Sequence, residues 1–219
     1  MQKYNDNLVV WIDPKDIKLH TTSYQNVGGL YDAVVKLPPK AYSQRVGNKI
    51  LKMESFIKPT LKKVKKIEET SWHKLIENYS KASSYEASYW YKKLSYELTT
   101  TGVARHKNII MKSDYDIAQF FESYVNGLFS SIARQGIIHN SQIFTECGVI
   151  IDHDGSFVKA SHGNHRFAIA RIAGNRKVPC IVEGISEHFV AHMPFWKLKK
   201  RNQEAISIAS YIVKGNREQ

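Results

Sequence analysis

Residues 147–184 read CGVIIDHDGSFVKASHGNHRFAIARIAGNRKVPCIVEG, and their punctuation leaves few folds open. The apolar run CGVII (147–151) ends at His153-Asp154-Gly155, a hairpin turn signal, and SFVKAS (156–161) returns as a second strand. Gly163 lets the chain turn tightly without a Cβ in the way. Phe167, Ile169, Ala170 and Ile172 then supply the packing of a short helix from 164 to 173, which Gly174 stops. VPCIVEG (178–184) is a third strand. Two paired strands, a helix and another strand in so short a stretch call for a sheet with a helix laid against it.

The rest of the chain fits a mixed α+β domain. NLVVWI (7–12) reads as an opening strand closed by Asp13-Pro14, and 20–40, with Gly28-Gly29 and Pro38-Pro39, as a loop. Residues 41–57 and 60–79 read as two basic helices split by Pro59. A third helix, 83–99, is expected with Ser83 or Ser84 as its cap. Ala87, Trp90, Tyr91, Leu94 and Leu98 share one face of it, while Tyr85, Tyr89 and Tyr96 lie on another. The strongest helical pattern is 114–135, where Ile117, Phe120, Phe121, Tyr124, Val125, Leu128, Phe129 and Ile132 form one apolar stripe. Ser113 is its expected cap and Gly136 its stop. A basic segment precedes a last helix, 202–213. The expected architecture is a small mixed β-sheet with packed helices, formed by 1–39 and 101–219, plus a basic helical insert at 40–100.

With 219 residues, 42% of them hydrophobic, the chain can bury one sizeable core. It holds no run long and apolar enough for a membrane span. Its first residues lack the charged start and apolar stretch of a secretory signal. Two cysteines, Cys147 and Cys180, do not make a disulfide framework, and both sit near predicted strands, so buried thiols in a reducing cytoplasm are expected. The formal charge is +12, which suits an anionic partner such as nucleic acid, an acidic membrane face or a phosphorylated substrate. Residues 40–66 hold nine Lys/Arg against the single acid Glu54, and Lys197, Lys199, Lys200 and Arg201 form a second cluster. Either cluster reads equally as a solvated helix face or a binding surface.

The opening of the 164–173 helix carries the chemistry. Its first amides have no partners inside the helix, and the helix dipole makes that end positive. Arg166 adds a planar fork of donors matched to phosphate oxygens. His162 and His165 flank the turn, and either can donate to a phosphate or shuttle a proton. Ser161, His162, Gly163, Asn164, His165 and Arg166 thus outline an anion site whose natural guest is a phosphate. Arg171, on the same helix, is expected to point outward.

Asp154-Gly155, Gly163-Asn164-His165-Arg166, Ala170, Gly174 and Val178-Pro179 stand in the order of the frame D-G, G-x-[HR]-R, A, G, V-P-V. In this the chain resembles the ParB/sulfiredoxin superfamily over residues 7–19 and 113–185. The resemblance implies a nucleotide, with its phosphates at the Gly-x-His-Arg helix start. His165 stands where partition-type ParB proteins carry arginine, and the tail after 184 is too short for their DNA-reading domain. Asn164 stands where sulfiredoxins carry the cysteine that does their chemistry. The motif fits best the branch of small-molecule kinases dependent on ADP or ATP, and the helical region before it resembles a less characterised bacterial and archaeal branch.

The expected function is therefore a nucleotide-binding phosphotransferase. It would bind ATP (or ADP or CTP), with Mg2+ held mainly by the nucleotide phosphates. The acceptor would be an acidic or phosphorylated small molecule or glycan. His165 and Arg166 are the expected catalytic residues at the phosphates, and Glu69 is the expected base, chosen from Glu68, Glu69, Asp32, Asp152 and Glu187. Asp152, His153, Asp154, His162 and His165 can also be drawn as a metal cluster, but a hairpin turn accounts for Asp154-Gly155 without a ligand. EHFVAHMPFW (187–196) either lines a pocket or seals the sheet end. The alternative function is a ParB-like, CTP-dependent DNA-binding protein that uses 40–66 and 197–201.

Overall fold

The computed structural model describes residues 8–21, 34–36, 64–139, 147–152, 154–160, 162–186 and 207–215. The basic segments 41–63 and 197–201, together with Asp32, His153, Ser161 and the stretch 187–196, lie outside the described residues.

One mixed sheet organises the fold. Its strands are β1 (Val9–Ile12), β2 (Leu19–His20), β3 (Val34–Lys36), β4 (Lys65–Lys66), β7 (Cys147–Ile151), β8 (Phe157–Lys159) and β9 (Val178–Ser186), and β5 (Ala104–His106) and β6 (Ile109–Met111) form a separate hairpin. The order across the sheet is β1-β9-β7-β8-β2-β4, with β3 also on β9. β9 and β7 run parallel, as do β8 and β2, and every other neighbouring pair is antiparallel. β7 is buried along its whole length and β9 at all but Glu183. That is the burial expected of central strands covered on both faces, and it explains why they read as unbroken apolar runs.

The helices are α1 (Ser71–Lys81), α2 (Tyr89–Thr101), α3 (Asp114–Gln119), α4 (Asn126–Gln135), α5 (Asn164–Ile172) and α6 (207–215). Between α3 and α4 the chain continues as a π-helical segment, Phe120–Val125. α3, this segment and α4 together fill the predicted 114–135 helix. Ser113 caps it, its hydroxyl accepting the Asp116 amide at 3.2 Å, and Gly136 ends it with φ +70°. The wider π turn shifts the stripe, so Val125 is buried while Tyr124 is 39% exposed.

Three expectations about elements need correction. Residues 34–36, inside the stretch expected as a loop, form β3 through antiparallel pairing with β9. Residues 64–70 are not helical: they form β4 and a 3₁₀ turn (Ile67–Glu69), and Thr70 caps α1. The buried Thr70 hydroxyl accepts the His73 amide at 3.3 Å and donates to the Ile67 carbonyl at 2.6 Å. Its replacement by alanine is expected to cost about 1–2 kcal/mol, read as a lower urea midpoint. α2, likewise, does not start at Ser83 or Ser84. Those residues lie in a turn where the Ser84 hydroxyl accepts the Ala87 amide at 3.4 Å, and Ser88 is the cap. A serine offers the same acceptor to a turn as to a helix, so spacing alone does not separate the two.

The segment predicted as a helical insert shares its core with the sheet. Ile76, Trp90 and Leu94 belong to the same buried cluster as Phe121, Phe167, Val149 and Cys180. α1 packs on α5, the helix that opens on Gly163. No helix among the described residues is long and apolar enough to cross a membrane.

Candidate functional site

The chain leaves β8 still paired to β7. Ala160 donates its amide to the Gly148 carbonyl at 2.8 Å, and the His162 carbonyl accepts the Gly148 amide at 3.2 Å. Gly163 then turns left-handed (φ +71°, ψ +23°) and serves as the N-cap of α5, with no side chain capping the helix. Its carbonyl is taken by the Phe167 amide at 2.9 Å and by the Cys147 thiol at 3.6 Å. No peptide bond among the described residues is cis, so a carbonyl and the amide of the next residue point opposite ways. The His162 and Gly163 carbonyls face the sheet and the helix interior, and the amides of Gly163 and Asn164 face away from them. Neither amide donates to a described residue. Two successive outward amides at the positive end of a helix make a concave set of donors for an anion.

His162 stands at the lip of this turn. Its side chain is 54% exposed, and its Nδ1 lies 2.7 Å from Oε1 of Glu183, a carboxylate only 11% exposed. The hydrogen bond to Glu183 raises the pKa of His162 above its ordinary value. Gly148 permits this contact, because a Cβ there would sit 2.0 Å from Glu183 Oε1. Glu183 was not singled out from sequence. The signal was present, since it is the only charged residue in the strand VPCIVEGIS.

His165 goes the other way. Its ring stacks on His106 (5.3 Å between centroids, 26°) and meets the Trp90 indole edge-on at 5.4 Å. Burial, then the charges of Lys107 and His106, lower its pKa to about 4. Burial, then Lys107 and Lys93, do the same for His106. Both imidazoles are therefore neutral near pH 7. Nδ1 of His165 and Nε2 of His106 are buried without a hydrogen-bond partner among the described residues. His165 thus brings no positive charge to the turn, and its ring packs against the β5–β6 hairpin and α2.

Of the remaining expected residues, Asn164 and Arg166 open α5, whereas Glu69 lies beside Glu68, whose partner Arg171 is in the last turn of that helix. Arg166 is half-buried on the first turn of α5, and Asn164 is half-buried with its Oδ1 unpartnered among the described residues. Ser161 lies outside the described residues. Glu69 is exposed in the 3₁₀ turn before α1. Its neighbour Glu68 pairs with Arg171, which corrects the outward placement expected for that arginine. The Arg171 side chain is 12% exposed, and besides Glu68 it donates to the carbonyls of Pro14 and of Ile17, the latter at 3.2 Å. It ties α5 to the β1–β2 connection. Among the described residues, no group of three or more His, Cys, Asp or Glu is placed to hold a metal ion.

One further residue at this turn went unmarked in the sequence. Lys159, inside the apolar strand β8, is fully buried, and its ammonium donates to the carbonyls of Ala160 (2.7 Å) and His162. Its only sequence signal was a lysine at a position the strand's alternation assigns to the core.

No protein-family model, curated protein or solved structure matches this chain.

Proposed function

We propose that this protein binds a nucleotide with its phosphates on the opening amides of α5, and transfers a phosphoryl group from it. The observation that carries this is the outward pair of amides at Gly163 and Asn164, uncapped by any side chain, beside a His162 that Glu183 makes more basic. The donor set suits phosphate: residues 162–166 include two histidines and an arginine and no acid. Magnesium would then be held by the phosphates themselves. The fold that goes with this function is the ParB/sulfiredoxin type, supported by the placement of the Gly163–Arg166 turn between β8 and β9. Arg166 would hold the terminal phosphates. The acceptor class is an acidic or phosphorylated small molecule, to suit the excess of lysine.

A thermal-shift panel of ATP, ADP and CTP, each with Mg2+, tests this. A ligand at about 100 times its Kd stabilises the folded state by about 2.7 kcal/mol, a rise of several degrees in melting temperature. At least one nucleotide is expected to produce it, and R166A to lose most of it. A flat panel for the wild type rejects the proposal.

A further inference from the structure

The outer face of α2 carries a stripe that the fold does not use. Tyr89, Lys93, Tyr96 and Thr100 recur at steps of four, three and four residues, so they share one side of the helix, with Lys92 at its edge. All of them are exposed, while Trp90 and Leu94 point into the core from another side. Tyr89 is 59% exposed and Tyr96 73%, and neither ring meets another ring among the described residues. Tyr79, Tyr91 and Tyr124, by contrast, each pack on an aromatic neighbour. So does Tyr85, expected on the same face as Tyr89 and Tyr96: it lies before α2 and stacks on Phe121. Helix stability gives no reason for two open rings. Tyrosine is a poorer helix former than lysine or glutamate, and an exposed ring leaves apolar area in water.

The charge around the stripe has one sign. Residues 89–113 hold five Lys/Arg (Lys92, Lys93, Arg105, Lys107 and Lys112) against one acid, Glu97. Glu97 is half-buried, and the five cations are exposed. The β5–β6 hairpin packs on α2. The charges of Lys93 and Lys107 both act on His106, so cations of the two elements gather in one place.

We propose that this face of α2, continued by the β5–β6 hairpin, binds single-stranded nucleic acid, with bases stacked on Tyr89 and Tyr96 and a phosphate between them on Lys93. The two rings lie two turns apart, about 10 Å along the helix axis, so one short stretch of strand meets both. Open tyrosine faces suit unpaired bases, because a duplex keeps its base faces stacked inside. Phosphates supply the negative charge that the five cations favour. The surface needs no nucleotide at α5 and stands apart from that reading.

The test is fluorescence anisotropy of the full chain with oligothymidine and oligouridine of about 12 nucleotides, and with the thymidine strand paired to its complement. The wild type is expected to bind at least one single strand, and the duplex about tenfold or more weakly. Tyr89→Ala and Tyr96→Ala are each expected to weaken single-strand binding about tenfold, at unchanged melting temperature, since both side chains are exposed. Tyr96→Phe keeps the stacking face and is expected to bind as the wild type does. Lys93→Gln is expected to flatten the salt dependence by about 0.7 in log–log slope, the loss of one phosphate contact on a single strand. The basic runs 40–66 and 197–201 can attract an anion through charge alone, and such binding would ignore the tyrosines. Single-strand binding left unchanged in the Tyr89→Ala/Tyr96→Ala double variant therefore overturns the proposal. So does a duplex bound as tightly as the single strands, or no binding to either strand at low salt.

Discussion

Phe121→Ala is expected to destabilise the protein by about 3–5 kcal/mol, a large share of the roughly 5–15 kcal/mol that holds a domain folded. Phe121 is fully buried in the π segment, at the centre of a ring cluster. Tyr85 stacks on it at 5.3 Å and 7°, Tyr79 at 5.7 Å and 17°, and Trp90 meets it edge-on at 5.7 Å. Truncation leaves a cavity walled by large planar side chains, which cannot collapse into it as aliphatic chains can. Urea denaturation checks this through a lower midpoint at unchanged slope. Phe121→Leu, which refills most of the volume, should recover the larger part. The same Trp90 indole also lies against His165 on the first turn of α5. Loosening it should therefore weaken MgATP binding by more than the loss of folded protein explains, measured where the variant is still folded.

How much of this was legible in the residues follows from the range over which each interaction acts. The hairpin at Asp154-Gly155, the left-handed Gly163 and the glycine stop at 174 depend on neighbours a few residues away, and all three stand where the pattern puts them. At the end of α5 the Asn175 amide reaches back to the Ala170 carbonyl at 3.0 Å across Gly174, φ +77°, a closure only a residue free to turn left-handed makes easily. Phe121 was likewise readable as core from the stripe at 114–135. The β5–β6 hairpin was missed: its turn, Lys107-Asn108, does hold an Asn, but the left-handed position, φ +53°, is taken by Lys107, and the strands on either side are only three residues long. The side-chain destinations around the site needed tertiary contacts. His165 sits one residue from Asn164 and three from His162, and sequence spacing cannot tell an imidazole lying on His106 and Trp90 from one facing solvent. Arg171 looked like a surface residue because its partners, Glu68 and the Pro14 and Ile17 carbonyls, are more than a hundred residues away in the chain. Glu183 and Lys159 were hidden for a related reason: a charge inside an apolar strand breaks the pattern without naming what it pairs with.

Gly148 offers the sharpest handle on the site's electrostatics. The Glu183 carboxylate lies over its Cα, where an alanine methyl would come 2.0 Å from Oε1 and 2.4 Å from Cδ. The backbone of β7 is pinned by β8 and β9, so the carboxylate is the part that moves. Gly148→Ala should thus leave the sheet intact and separate Glu183 from His162. In the wild type that hydrogen bond raises the pKa of His162. Its contribution to stability is complete below the unfolded value, about 6.5, and is lost as pH rises through the higher folded value. The same sign governs anion binding. A protonated His162 favours phosphate at the turn, so wild-type affinity should persist through pH 6.5 and fall only as pH passes the raised value. In Gly148→Ala, with burial and the Lys159 charge left to lower the His162 pKa, the fall should begin at lower pH than in the wild type, and the two proteins should differ most between their two His162 pKa values. Proton NMR of the His162 ring gives the two pKa values directly, and MgATP titrations at several pH values give the affinities. A His162 that titrates at the same pH in both proteins would show that Glu183 does not set its charge.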